Sequence, residues 1–250
     1  MDGPDSNPVE GANAKETPKS SSGDFVLDRA SAAAAELNED QALALLKRPD
    51  VSAADLAALG RNPSVTKSRK VLLGLATHHR TPRHITIPLL RRLFTFDLMQ
   101  VALTPTVAAD VKRAAEEQIV NRMDSLSLGE RISLARRASG RVAAKLLFDV
   151  ETRVSSTALD NSHLVEASVV AALMKHNALE SLFTLVGEHP KWSLRREVQV
   201  TLLRNEKTPP ERARELARNF SDEFLREIVP ESRRAALIQP SNPSIPGGQE

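Results

Sequence analysis

Three observations predict an all-α fold, built as a solenoid of short helical hairpins between disordered ends. From residue 38 to 236 the chain is rich in Ala, Leu, Arg and Glu and lacks the β-branched and aromatic alternation that marks strands. Apolar residues recur at helical spacing: Val107, Val111, Ala115, Ile119 and Met123 line one side, with Lys112, Arg113, Glu116 and Glu117 on the other. The sequence also repeats itself, and an internal repeat of helical hairpins buries its apolar faces by stacking on its neighbours.

Residues 1–37 combine Pro4, Pro8, Pro18 and the Ser20-Ser21-Ser22-Gly23 run with few apolar side chains, so this segment reads as a disordered acidic tail. Residues 237–250, with Pro240, Pro243, Pro246, Gly247 and Gly248, read the same way. Between them, about a dozen short helices are expected. Thr81-Pro82, Thr104-Pro105 and Thr208-Pro209 each place a capping hydroxyl before a proline at the first helical position. Ser127 and Glu130 have capping-box spacing, and Ser139 is expected to cap the helix after Arg136-Arg137-Ala138. Pro88 interrupts the helix that follows Pro82, which predicts a late start near Ile87 or a kink.

The repeat superposes residues 43–101 on 170–228 at an offset of 127 without a gap. Leu46 falls on Leu173, Gly60 on Gly187, Pro63 on Pro190, Arg69 on Arg196, Leu75 on Leu202, Leu89 on Leu216 and Leu98 on Leu225. Leu56 matches Phe183, Leu59 matches Val186, Leu93 matches Phe220 and Val101 matches Ile228 in kind. Asn62-Pro63, Thr81-Pro82, Asp149-Val150-Glu151-Thr152-Arg153, Ala158-Leu159-Asp160-Asn161, His189-Pro190-Lys191-Trp192-Ser193 and Leu203-Arg204-Asn205 resemble the units of bacterial HEAT-like repeat proteins, including leucine-rich-repeat-variant types. That resemblance implies a HEAT-like solenoid over residues 38–236 and an interaction surface rather than a reaction.

Composition excludes several chemistries. With no Cys there is no disulfide framework, thiolate nucleophile or iron–sulfur cluster, which suits a reducing cytoplasm. No window is apolar enough to span a bilayer, and Met1–Glu10 lacks the basic flank and apolar core of a secretory signal. The glycines form no phosphate-binding loop. His78, His79 and His84 have no carboxylate within their stretch to complete a metal site. His163, His176 and His189 fall at expected turns. Trp192 with Arg195 and Arg196 matches the residue types of a HEAT-like DNA glycosylase pocket, but Trp192 and Arg196 superpose on the ordinary repeat positions Val65 and Arg69. No catalytic residue, metal or cofactor is assigned.

Charge carries the functional expectation. The 34 Lys and Arg nearly balance the 32 Asp and Glu. Residues 1–40 nevertheless hold three basic and nine acidic side chains, whereas residues 56–96 hold Arg61, Lys67, Arg69, Lys70, Arg80, Arg83, Arg91 and Arg92 with no acid. The repeat copy, 183–223, has eight basic residues but seven acidic ones, so the fold itself does not demand an acid-free stretch. Such a patch attracts phosphate backbone or acidic protein. The expectation is a non-enzymatic scaffolding module that binds a protein or polyanionic partner through residues 61–92, over which the acidic tail can lie. A nucleic-acid-binding protein gripping phosphates is the alternative, and a DNA glycosylase a second. Phe94 and Phe96, the only aromatics of the basic stretch, are expected in the core, which argues against stacking on bases.

Overall fold

The computed structural model describes residues 37–237, and both expected tails, apart from Leu37 and Leu237, lie outside it. The described residues are helical throughout, with no strand. Fifteen α-helices follow one another: α1 Glu39–Leu46, α2 Ala53–Arg61, α3 Arg69–Thr77, α4 Arg83–Leu90, α5 Thr95–Leu103, α6 Ala109–Arg122, α7 Leu128–Arg137 and α8 Gly140–Leu146. The second half holds α9 Thr152–Leu159, α10 Glu166–Leu173, α11 Glu180–Glu188, α12 Arg196–Arg204, α13 Pro210–Ala217, α14 Asp222–Ile228 and α15 Glu231–Leu237, and a single 3₁₀ turn, Met123–Ser125, follows α6.

The duplication is realised in the helices themselves. α1, α2, α3 and α4 correspond to α10, α11, α12 and α13 with both ends displaced by 127 residues, and α14 begins 127 residues after α5. Leu56 and Phe183, Leu59 and Val186, Val71 and Val198, Leu75 and Leu202, and Leu98 and Leu225 are buried in both copies. Gly60 and Gly187 mark close approach of alternate helices: a Cβ on Gly60 would stand 2.3 Å from Ile85 of α4, and one on Gly187 3.1 Å from Arg212 of α13.

Every extensive helix contact joins a helix to the next one or the next but one, from α1 against α3 to α13 against α15. Helices therefore pack mainly on their neighbours along the chain. Side-chain bonds link alternate corners, and corners linked in this way share one edge of the array. At several corners a side chain donates to carbonyls of the previous corner on its own edge, where helix ends leave acceptors unpaired. Arg80 Nη1 donates to Val51 O at 3.4 Å, and its counterpart Lys207 Nζ donates to Ala178 O, the counterpart of Val51, at 2.6 Å. Arg92 donates to Thr66 O. Arg122 donates to Leu93 O and Arg91 O, and Asn161 Nδ2 to Ala135 O and Ala138 O. Trp192 Nε1 continues the series to Leu159 O at 2.8 Å, and Arg233 to Asn205 O and Thr208 O.

Several local expectations are corrected. None of the three Thr-Pro hydroxyls caps a helix start, and no proline of the three pairs is the first helical residue. Pro82 and Pro209 are themselves the N-caps of α4 and α13, without a side-chain cap. Thr208 Oγ1 donates backward to Leu202 O at 2.6 Å, Thr104 Oγ1 to Gln100 O at 2.7 Å, and Thr81 Oγ1 is buried without a partner. α4 begins at Arg83 despite Pro88, which stands third from its end, where an eight-residue helix loses only one bond. The Ser127–Glu130 capping box forms as expected. Ser139 occupies the N-cap of α8, but its hydroxyl donates to Glu116 Oε1 at 2.6 Å. Glu116 and Glu117 also face Arg141 of α8, at 3.8 and 3.4 Å.

Candidate functional site

All eight basic side chains of the stretch are exposed, but they do not form one face. Arg61 ends α2, Lys67 lies on the α2–α3 corner, Arg69 and Lys70 open α3, and Arg91 and Arg92 close α4. The Arg92 tie to Thr66 places these six on one edge, made by the α2–α3 and α4–α5 corners. Arg80 and Arg83 sit at the α3–α4 corner, on the opposite edge, tied to Val51 and to Asp110.

Three of the eight are neutralised by carboxylates from outside the stretch. Arg69 makes a bidentate pair with the buried Asp97, its Nε and Nη2 donating to Oδ2 and Oδ1 at 2.7 and 2.8 Å. Lys70 stands 3.6 Å from Glu39, and Arg83 3.1 Å from Asp110. Among the described residues, Arg61, Lys67 and the Arg91 side chain have no hydrogen bond or ion pair. Arg92 makes no ion pair, and its guanidinium donates to Thr66 O. Five of the eight thus make no ion pair among the described residues: Arg61, Lys67, Arg91 and Arg92 on the first edge, and Arg80, which donates to Val51 O, on the other.

The two phenylalanines expected in the core are on this same edge. Phe94 is 62% exposed and Phe96 38% exposed. Arg69, held by Asp97, lies over the Phe94 ring at 4.9 Å from its centroid. Phe94 is also the N-cap of α5, a place where its side chain can accept no hydrogen bond. At the equivalent place in the second copy stands Ser221, which does cap its helix by accepting from Phe224 N at 3.3 Å. Phe96 superposes on the exposed Glu223. The repeat alignment thus carried the signal that both positions face solvent.

His78 and His189 are corner residues, whereas His84 lies in the first turn of α4. Asn62 Oδ1 accepts from Ser64 N, and its counterpart His189 Nδ1 accepts from Lys191 N. His78 Nδ1 accepts from Arg80 N, as its counterpart Asn205 Oδ1 does from Lys207 N. Each is the same side-chain-capped turn made with a different acceptor. Burial first, then the neighbouring His79 and Arg80 charges, lower the His78 pKa below the ordinary histidine value. Among the described residues no group of three or more His, Asp and Glu could hold a metal.

Trp192 is 1% exposed, its indole N–H committed to Leu159 O, with Lys191 over its ring. A cavity of about 420 Å³ between α8 and α10 is lined by Phe148, His163, Ser168 and Lys175 among others. His163 and Ser168 make no hydrogen bond to each other there.

The described residues form an all-α fold with exposed cations and the exposed Phe94 and Phe96 at the α2–α3 and α4–α5 corners. No protein-family model, curated protein or solved structure matches the chain. No described helix is long and apolar enough to cross a membrane.

Proposed function

We propose that this chain is a non-enzymatic binding module of the HEAT-like kind, working in the cytoplasm, whose functional surface is the first edge and whose partner is polyanionic. One observation carries the reading. Arg61, Lys67 and Arg91 are exposed and unpaired among the described residues on a single edge, whereas the second copy places Glu188, Leu194 and Arg218 at the same positions. An edge that the repeat can build with neutral charge is positive here, and a cluster of cations without partners raises the local concentration of anions. Arg69 and Lys70 flank the cluster with their charges already answered, so they position it more than they add to it.

Retention on immobilised heparin across a salt gradient tests this. The wild type should elute late and earlier with rising salt, because each phosphate or sulfate contact releases counterions. Arg61→Glu with Lys67→Glu and Arg91→Glu should abolish retention, since none of the three side chains holds a corner together. Wild-type protein that flows through at low salt would overturn the reading.

A further inference from the structure

Resting on the polyanion reading of the first edge, we infer that the partner class is single-stranded nucleic acid, with phosphates held by Arg61, Lys67, Arg91 and Arg92 and bases stacked on Phe94 and Phe96. The internal duplication isolates the two aromatics. The same helix start is built in the second copy with Ser221 and Glu223, so neither phenylalanine is needed to form it. At Phe94 the exchange forfeits a helix cap and leaves a large apolar ring in water, a local cost with no compensating burial.

The ring is also presented rather than loose. Arg69 lies over one face, and Asp97 fixes that guanidinium through two hydrogen bonds. The ring remains 62% exposed for a further planar group. Aromatic faces interleaved with cations are the arrangement that holds unstacked bases and their backbone without reading sequence. A duplex hides its base faces, and an acidic peptide offers few planar groups, so neither makes use of Phe94.

Fluorescence anisotropy with a labelled oligothymidylate, its duplex with oligoadenylate, and polyglutamate tests the inference. The wild type should bind the single strand more tightly than the duplex or polyglutamate. Phe94→Ser, which installs the residue the second copy uses, should weaken single-strand binding about 5- to 50-fold while heparin retention and thermal midpoint are not lowered. Equal single-strand affinity of wild type and Phe94→Ser overturns the inference, as does a wild-type preference for duplex or polyglutamate, and both results leave the polyanion reading intact. Absence of heparin retention in the wild type overturns both.

Discussion

Gly60 is the position at which one methyl group tests the packing of the first block. An added Cβ would overlap the branched side chain of Ile85, which is buried in α4. Gly60→Ala should cost about 1–3 kcal/mol in urea unfolding. Gly187→Ala should cost less, because the atom it meets belongs to the flexible Arg212. The threonine pair offers a second internal comparison. Thr208→Val removes a buried hydroxyl that donates to Leu202 O and should cost about 1 kcal/mol, whereas Thr81→Val removes an unpartnered hydroxyl and should be neutral or stabilising. His78 supplies a pH signature. Its folded pKa is lowered by burial and by His79 and Arg80, so the unfolded chain takes up the proton first and stability falls as pH drops below about 6.5. His78→Asn, which reproduces Asn205, should keep the turn and flatten that part of the pH–stability profile.

At the scale of elements, helix content, the 127-residue duplication and the Ser127 capping box were legible in the sequence because each depends on neighbours along the chain. The Thr-Pro pairs misled for a physical reason. The hydroxyl can cap forward or bond backward, and here the backward carbonyls of Gln100 and Leu202 are within reach. The corner ties were not legible, because donors as different as Arg92, Asn161 and Trp192 satisfy equivalent carbonyls. Trp192→Phe keeps the volume and removes only the donor. It should cost about 1–3 kcal/mol, the penalty of leaving a buried carbonyl unpaired, measured by chemical denaturation.

Across the described residues, extensive helix contacts reach no farther than the next helix but one, and the buried apolar side chains form one continuous cluster along that order. The charge of the candidate site shows what a linear reading misses. Residues 56–96 contain no acid, yet Asp97, Glu39 and Asp110 answer three of the eight cations once the helices stack. Sequence identified the basic stretch, and folding leaves four of its cations without a carboxylate partner on one edge and Arg80 on the other. The aromatics were misassigned because Phe is usually buried, although their polar counterparts Ser221 and Glu223 marked the positions as exposed.

The most direct test of the central claim compares two variants with the same change in charge by salt-gradient retention on heparin. Arg61→Glu, Lys67→Glu and Arg91→Glu reverse the first edge, and Arg195→Glu, Arg218→Glu and Arg226→Glu reverse exposed arginines of the second copy. The account predicts that the first variant loses retention and the second keeps it at nearly the wild-type salt concentration. Equal loss in both would show that net charge, not the first edge, holds the polyanion.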